Sequence, residues 1–506
     1  MKKLVSISLC FLFAFIAFSQ SYSLRERYNL LSASHASMVI CNQRIYTVGY
    51  TSDTSSPIDP MCLFSKHRLD GQLDTVTTFK IPGYMQTATG ENSLILTKDS
   101  NLVCTGYCID ASNITKVLFL KYDINGNVLF YKTYSAVNSQ RFFGKRIVET
   151  NDGFYIEGTI QYSNFDVNLF IIKIDATGNE LWRKFYGSNS TDELTSAFIK
   201  TSNNRLLIAA TKNNKDYSHD ATFQSWCYLL MLDTAGNLIR DTIGIDPNID
   251  VPQNLIETLD GKFIFCTGYA TMKSNTMGTD FKGYVVKVDS NLNMLWEQLY
   301  ADSSPVTTLF NVSELSTGEL VAVGSNYNQL LHPYHNNGLI IKTDANGIQL
   351  WGREYRGVSR TGQNIEDNIL YDCDILSDGN IIACGVAADY NDTFPQQAWL
   401  LRIDADGCMD NNFCGYTGIE QVENKNQEQG LVTVYPNPAT NSVQVIIEHE
   451  MLNGEIKLYD VSGKIVLTKS VNTEKTMLNI SELSKGLYIV SLEKDRVVAR
   501  TKLIVD

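Results

Sequence analysis

The chain has 506 residues, a formal net charge of −13 and a hydrophobic content of 44%. This length predicts one large domain or several, and this hydrophobic fraction excludes a disordered chain. The acidic balance argues against nucleic acid as a partner, because phosphate binding needs a basic surface.

The first residues have the pattern of a secretory signal peptide. Lys2 and Lys3 precede an apolar run, LVSISLCFLFAFIAF, which is short for a membrane span. Small residues at Ala17 and Ser19 predict cleavage after Ser19, so residues 1–19 are assigned to the signal. Cleavage removes two lysines and no acidic residue, which takes the net charge from −13 to −15. A retained anchor is the alternative, but no later stretch is apolar enough to span a membrane, so none is predicted in the mature chain.

A phrase recurs seven times after the signal. It consists of an apolar run, an aspartate-containing turn and a second run, as in LFIIKIDATGNELWRKFYG (169–187) and GLIIKTDANGIQLWGREYRG (338–357). The turn glycine returns at intervals of roughly 50 to 60 residues. Each copy contains four short β-rich runs separated by turn residues, which is typical of a four-stranded antiparallel sheet. Seven such sheets predict a seven-bladed β-propeller over residues 20–415.

The second run of several copies carries a tryptophan at the same position, as at Trp182, Trp296 and Trp351. We interpret these side chains as packing between neighbouring blades. The phrase resembles the outer hairpin of propellers in the pyrroloquinoline-quinone-like group, and more closely the propeller repeats of exported bacterial surface proteins. The seventh copy has a short, polar fourth run, so we expect residues 24–31 to supply or reinforce that strand and close the ring.

The pair Cys408 and Cys414 is the best local candidate for a disulfide. Export makes disulfides permissible, and the two residues follow the last repeated turn. A bridge there would pin the degenerate last strand. No pattern of cysteine and histidine has zinc-ligand spacing, and the aspartate-rich turns lack the spaced carboxylates of a complete calcium loop. No metal or cofactor is therefore predicted.

The end of the chain has a different composition. Residues 416–430 are polar and unpatterned, which indicates a linker, whereas residues 431–506 alternate apolar and polar residues between turns. The alternation predicts a small immunoglobulin-like β-sandwich, so that the whole chain is all-β.

This last segment closely resembles the type A C-terminal sorting domain of the type IX secretion system. The matching residues are Tyr435, Pro436, Asn437, Pro438, Gly463, Lys464, Gly486, Leu487, Tyr488 and Lys502. The resemblance implies export through the periplasm and across the outer membrane by that secretion machinery. The cargo is then released or attached to the cell surface.

Catalytic motifs are missing from the sequence. No nucleophile elbow, zinc-protease helix or phosphate-binding loop occurs, and His332 and His335 have metal-like spacing without a third ligand. Propeller active sites are assembled from separated loops, so enzymatic activity is left open.

The loops between the second and third strands of each copy, and between successive copies, are mostly long. They lie on one face of the ring, which we call the long-loop face, and variable loops on a rigid scaffold are the usual place for binding. Our candidate binding residues are the aromatic side chains Tyr217, Tyr327, Tyr334 and Tyr390. Solvated loops without a ligand are equally ordinary.

We therefore predict an exported or cell-surface propeller that binds or displays, with a glycan or a protein as ligand. The alternative is an extracellular propeller enzyme, a hydrolase or lyase, acting on polysaccharide. Carboxylates and arginines clustered at the mouth of the long-loop face would favour the enzyme. A shallow aromatic and polar surface would favour binding.

Overall fold

The computed structural model contains only β-strands, turns and irregular segments in the part that it describes. This part comprises residues 21–53, 56–188, 190–214, 225–243, 249–272, 279–300, 306–327, 335–357, 366–390, 392–393, 395–409, 414, 416–417, 432–447, 452–460, 465–494 and 497–505. The predicted signal peptide, residues 1–19, lies outside these ranges, as does the predicted linker apart from Tyr416 and Thr417. The chain divides into two units, one ending at Ile419 and the other running from Glu420 to Asp506. Among the described residues, no helix is long and apolar enough to cross a membrane.

Seven antiparallel blades make up the described part of the first unit, as the repeat predicts. We call the first strand of each blade its inner strand and the fourth its outer strand. The strands of blades 1 to 3 are β2 (Ser32–Cys41), β3 (Arg44–Asp53), β4 (Ser56–Arg68) and β5 (Leu73–Phe79); β6 (Tyr84–Thr89), β7 (Ile95–Leu96), β8 (Leu102–Asp110), β9 (Thr115–Tyr122) and β10 (Val128–Tyr134); and β11 (Ser139–Glu149), β12 (Gly153–Tyr162), β13 (Val167–Asp175) and β14 (Glu180–Tyr186). In blade 2, β6 and β7 together take the place of the inner strand.

Blades 4 to 6 repeat the plan, and blade 7 departs from it. Their strands are β15 (Thr191–Lys200), β16 (Leu206–Asn214), β17 (Ser225–Leu232) and β18 (Leu238–Ile243); β19 (Ile249–Glu257), β20 (Phe263–Met272), β21 (Thr279–Val288) and β22 (Met294–Tyr300); and β23 (Val306–Glu314), β24 (Leu320–Tyr327), β25 (His335–Thr343) and β26 (Gln349–Tyr355). Blade 7 takes three strands from the end of the propeller, β27 (Glu366–Ile375), β28 (Ile381–Asp389) and β29 (Gln396–Ile403), and one from its beginning, β1 (Tyr22–Glu26).

The amino-terminal strand closes the ring. β1 runs antiparallel to β29, with Tyr22 opposite Arg402 and Glu26 opposite Ala398. The prediction that this part of the chain supplies the outer strand is thus confirmed, although the strand begins two residues before the predicted segment 24–31 and ends at Glu26. The indole nitrogen of Trp399 also donates a hydrogen bond of 2.9 Å to Ser23 Oγ, which ties the added strand to blade 7.

The polypeptide that leaves blade 7 returns to blade 6. Tyr416 and Thr417 form a short strand, β30 (Tyr416–Thr417), which pairs with β26. Cys408 and Cys414 lie between β29 and β30 in the chain, and their sulfur atoms are at bonding distance, 1.97 Å apart. Arg353 of β26 donates a 2.5 Å hydrogen bond to the carbonyl oxygen of Cys414, so this loop is held against blade 6.

The repeated phrase forms the contacts between blades at the outer strands. A tyrosine ending the outer strand donates a hydrogen bond to the carbonyl oxygen of the turn glycine in the next blade. The four pairs are Tyr134 with Gly178 (2.7 Å), Tyr186 with Gly236 (2.9 Å), Tyr300 with Gly347 (2.7 Å) and Tyr355 with Gly407 (2.6 Å). The tryptophans pack there too, since a Cβ placed on Gly347 would lie 2.7 Å from Cζ3 of Trp296. Their predicted role between blades is confirmed.

The second unit is a β-sandwich. One sheet contains β31 (Val432–Tyr435), β32 (Ser442–Ile447) and β35 (Lys475–Asn479). The other sheet contains β33 (Glu455–Tyr459), β34 (Ile465–Ser470), β36 (Gly486–Lys494) and β37 (Val497–Val505), in the order β34-β33-β36-β37. Alternate residues of β32, namely Val443, Val445 and Ile447, are buried in the core, as the apolar alternation predicts.

Candidate functional site

The inner strands of six blades carry one extra residue near the middle. Pairing with the second strand shifts register at this point, which is the mark of a β-bulge. The extra residues are Ala36, Lys145, Ser196, Gln253, Phe310 and Tyr371, one for each described blade except blade 2. A bulge re-aims a side chain, and at the inner strand it acts next to the central axis.

A glycine on the second strand makes room for the bulge. A Cβ placed on Gly158 would lie 1.9 Å from the carbonyl oxygen of Phe143, and one on Gly385 would lie 1.9 Å from that of Ile369. These are backbone atoms that no rotamer change can move, so at these two positions glycine allows the second strand to lie close to the bulged strand. Ala210 stands at the equivalent position of blade 4.

Blade 2 differs, because residues 90–94 leave the sheet between β6 and β7. The backbone nitrogen of Asn92 donates a 3.0 Å hydrogen bond to the carbonyl oxygen of Ala36 in blade 1. Its side-chain nitrogen donates a 3.1 Å hydrogen bond to the carbonyl oxygen of Phe310 in blade 6. We call residues 90–94 the crossing segment, because these bonds carry it across the ring from blade 2 to blade 6.

Arg146 fixes the crossing segment from the opposite side. Its guanidinium donates one hydrogen bond to the carbonyl oxygen of Glu91 and another, of 2.5 Å, to the carbonyl oxygen of Gln253 in blade 5. Blades 1, 2, 3, 5 and 6 thus meet through one arginine and one asparagine. Blade 7 joins them through Asp372, whose carboxylate accepts hydrogen bonds from Asn311 Nδ2 (2.7 Å) and the backbone nitrogen of Met38 (2.8 Å).

A cavity of about 470 Å³ lies against the crossing segment. Tyr50 and Tyr107 line it near the ends of β3 and β8, where the loops to the third strands begin, so the cavity belongs to the long-loop face. Phe143, Lys145 and Arg146 line it from β11. Its wall therefore combines three aromatic rings with two cations. Ala36, Lys145 and Gln253 bring the central part of three inner strands to it, and Gly90 belongs to the crossing segment.

The two cations of the cavity have no carboxylate partner. Neither Lys145 nor Arg146 forms an ion pair with any residue that the structure describes, and the hydrogen bonds of Arg146 go to carbonyl oxygens. Burial and the adjacent guanidinium of Arg146 lower the pKa of Lys145. Burial likewise lowers the pKa of Arg146. An anion in the cavity would relieve this cost, because an opposite charge favours the charged form of each group.

Glu157 lies behind the cations and does not line the cavity. Its side chain is fully buried, and within the described residues neither carboxylate oxygen has a hydrogen-bond partner. Burial raises the pKa of Glu157 to about 8, against the opposing influence of Arg146 and Lys145. The raised pKa favours the protonated form of this carboxyl, which weakens its compensation of the two cations, and Glu91 is the carboxylate in the cavity lining that acts on both.

The candidate residues from the loops fall in different places. Tyr390 follows β28 and is half exposed, and its hydroxyl donates a 2.8 Å hydrogen bond to Asp367. Burial, this hydrogen bond and the charge of Asp367 raise the pKa of Tyr390 to about 12, and Tyr390 does not line the cavity. Tyr327 ends β24 and does not line the cavity. Tyr217 and Tyr334 lie outside the described residues.

The cavity residues themselves were missed by the sequence prediction. Tyr50 and Tyr107 both follow a glycine near the end of a second strand, and that repeated glycine was the available signal. Lys145 is visible only once the bulge is known, because the extra residue disturbs the alternation that predicts which side chains face inward. No group of three or more metal-ligating side chains occurs among the described residues.

The residues that carry the sorting resemblance are partly exposed. Tyr435 is 70% exposed, and Pro436, Asn437 and Pro438 follow it at the surface. Asn437 Oδ1 accepts a 2.8 Å hydrogen bond from the backbone nitrogen of Ile504, so this turn is attached to the last strand. The remaining positions divide into Tyr488, buried in the core; Gly486 and Leu487 on β36; Lys502 on β37; and Gly463 and Lys464, outside the described residues.

Comparison with known proteins identifies the tail. Residues 433–506 match the family described as secretion system C-terminal sorting domain. The chain is therefore a type IX secretion cargo, delivered to the cell surface or the medium. No curated protein sequence matches the chain.

Solved structures resemble the chain at low identity. PorZ of Porphyromonas gingivalis, described as an essential bacterial surface component of the type IX secretion system, has a TM-score of 0.38 and 10% identity, and the match covers 93% of this chain but 59% of PorZ. An ulvan lyase has a TM-score of 0.45 and 10% identity over 77% of this chain and 95% of the lyase. An α-L-arabinanase of Penicillium chrysogenum has a TM-score of 0.38 and 8% identity over 76% of this chain and 98% of the arabinanase.

Proposed function

We propose that this protein is an exported propeller that binds a glycan in the central cavity of its long-loop face. The observation that carries the proposal is the composition of that cavity. Tyr50, Tyr107 and Phe143 stand in its wall together with the unpaired cations Lys145 and Arg146.

Aromatic and polar groups of this kind suit a sugar. The apolar faces of a pyranose ring pack on an aromatic face, and its hydroxyl groups need donors and acceptors at fixed positions. Ligand sites usually combine an apolar wall with a few such polar groups. Tyr50 and Tyr107 supply a ring and a hydroxyl each, and Gln253 supplies an amide.

Binding fits the cavity better than hydrolysis. Glycoside hydrolysis generally needs two carboxyl groups on either side of the scissile bond. Among the described residues that line the cavity, Glu91 is the one carboxylate, and Glu157 is buried behind the wall.

A polysaccharide lyase is the second candidate. Burial and Arg146 lower the pKa of Lys145, and a lysine with a lowered pKa is suited to accept a proton at neutral pH. Lys145 would then be the base of an elimination, with the tyrosines of the cavity nearby.

The test is a glycan array followed by titration of each hit with the purified secreted chain. Tyr107→Ala should weaken binding by about tenfold or more, which corresponds to about 1.4 kcal/mol. Tyr131→Ala is the matched control, because Tyr131 is a partly exposed tyrosine on the outer strand β10. Unchanged affinity in Tyr107→Ala, or the absence of any glycan hit, would contradict the proposal.

Two further measurements test whether the loop tyrosines contribute to binding and whether the protein is a lyase. Alanine at Tyr327 and at Tyr390 should leave the melting temperature unchanged, and a loss of affinity would extend the site to the loop residues. Incubation of each hit with wild-type protein should leave its chain length unchanged. Shortened, unsaturated products that disappear in Lys145→Ala would establish the lyase instead.

A further inference from the structure

A second cavity, of about 570 Å³, adjoins the first. Tyr107 and Phe143 line both, and their rings meet edge to face with centroids 5.1 Å apart. The two cavities are therefore separated only by an aromatic pair. Together their lining residues extend from the crossing segment to the loop ends of blades 2 and 3, and we call this surface the groove.

The outer half of the groove is polar. Gln86 and Asn113 line it from blade 2, and Gln140 and Arg141 line it from the beginning of β11. Arg141 is exposed and forms no ion pair with any residue in the described ranges. Amide and guanidinium groups with this exposure can donate to hydroxyl and acidic groups of a ligand.

One strand thus carries cations in both halves of the groove. Arg141 lines the outer cavity, and Lys145 and Arg146 line the inner one. Arg141 and Lys145 are four positions apart, which corresponds to about 13 Å of extended strand at about 3.3 Å per residue. This backbone span exceeds a single sugar ring, so we expect a ligand of more than one sugar residue to occupy both halves.

The local charge contrasts with that of the whole chain. The protein has a net charge of −13, whereas the groove carries three cations, and Glu91 is the one carboxylate among the described residues that line it. The net negative charge of the protein therefore repels a polyanion, and only contacts within the groove can favour the binding of a polyanion.

We propose that the ligand is an anionic polysaccharide that lies along the groove. Its rings pack on Tyr107 and Phe143, and its acidic groups meet Arg141 at one end and Lys145 with Arg146 at the other. This inference rests on the proposed glycan binding and adds two properties of the ligand, its charge and its length.

The first test compares polysaccharides that differ only in charge. Polygalacturonate and its methyl ester form one pair, and dextran sulfate and dextran form the other, so the two pairs distinguish carboxylate from sulfate. We expect at least one anionic member to bind about tenfold or more tightly than its neutral counterpart, with an affinity that falls as salt rises. Equal binding within both pairs would overturn the inference and leave the proposed glycan binding intact.

The second test compares lengths and halves of the groove. Galacturonate hexamer should bind more tightly than galacturonate monomer, and Arg141→Ala should reduce hexamer affinity several-fold while leaving the weak monomer binding unchanged. Lys145→Ala should reduce both. Arg240→Ala is the matched control, since Arg240 is exposed on the outer strand β18 of blade 4.

Melting temperatures of these variants separate a loss of contact from a loss of folding, since Arg141 and Arg240 are both exposed. Equal affinity for monomer and hexamer would overturn the extended groove. Failure of every polysaccharide, charged or neutral, would instead overturn the proposed function.

Discussion

The outer and inner strands of the propeller use repetition in different ways. At the outer strands, four blades make the same hydrogen bond from a tyrosine to the next turn glycine, with nearly the same length each time. At the inner strands, six blades share the same bulge, but the bulged residue ranges from Ala36 to Lys145 and Tyr371. The outer strands thus repeat residues to hold the ring, whereas the inner strands repeat only a backbone shape and vary what it presents.

The largest effect should come from breaking the one outer strand that the repeat does not supply. Deletion of residues 22–31 removes β1 and leaves the edge of β29 unpaired. It also removes Tyr22, which is buried in the core between blades 7 and 1. We expect a loss of more than about 3 kcal/mol, seen as a lower melting temperature and faster proteolysis of the propeller.

Arg25→Ala controls for sequence changes in β1, because Arg25 is exposed. It should leave the melting temperature unchanged. A deletion variant that melts like wild type would mean that β1 does not close the ring.

The second prediction compares Gly158, which lies beside an inner-strand bulge, with Gly347, which lies in the turn before an outer strand. Gly158→Ala places a Cβ 1.9 Å from the carbonyl oxygen of Phe143, and Gly347→Ala places one 2.7 Å from Trp296. Both should cost about 2 kcal/mol or more in the free energy of unfolding, because neither site can accept a methyl group without a shift. Only Gly158→Ala should also weaken glycan binding, since it displaces the bulge that presents Lys145.

Blade 4 provides the control for this comparison. Ala210 already stands where other blades have glycine, so Ala210→Gly should leave glycan affinity unchanged. If Gly158→Ala and Gly347→Ala reduce glycan affinity equally, the bulge has no special role in the site.

The outer repeat explains what could be predicted from the sequence. A phrase that occurs seven times, with a turn glycine in six copies and a tryptophan in three, predicts the blade number and the packing of the tryptophans between blades. The apolar alternation of residues 431–506 likewise specifies the sandwich.

The cavity could not be predicted in the same way. Lys145, Gln253 and Tyr371 occupy equivalent positions but share no chemistry, so no repeat reveals them. The crossing segment occurs in blade 2, and its partners Ala36 and Phe310 are distant in sequence. Prediction from loop length pointed to the face on which the cavity lies, and of its four tyrosines the two that the structure describes, Tyr327 and Tyr390, do not line the cavity.

The third prediction concerns Glu157, a buried carboxyl on β12, the strand that pairs with the inner strand β11. The pKa of Glu157 is raised from 4.5 to about 8 by burial, so the folded protein binds this proton more tightly than the unfolded chain does. Stability must therefore fall as pH rises from about 4.5 to about 8. Glu157→Gln removes the charge, so it should raise the melting temperature near pH 8 and have little effect below pH 4.5.

In Glu157→Gln the melting temperature should still fall as pH rises, because Asp372 is a second buried carboxyl. Burial raises its pKa from 3.8 to about 7, which gives the same direction of pH dependence. A melting temperature of Glu157→Gln that parallels wild type at every pH would contradict the assignment of Glu157 as a protonated group.

The smallest effect should come from the loop between Cys408 and Cys414, which follows β29 in the chain. A disulfide between Cys408 and Cys414 closes a short loop, and on the loop-entropy model its removal costs about 2 kcal/mol. Reduction should therefore lower the melting temperature of the secreted protein slightly, and Cys408→Ser should lower it by the same amount and abolish the response to reductant. The other cysteines that the structure describes are free thiols, so reduction should act at this pair alone. Alkylation and mass spectrometry test the bond directly, and free thiols at both positions in protein from the medium would show that Arg353 and β30 hold this loop without it.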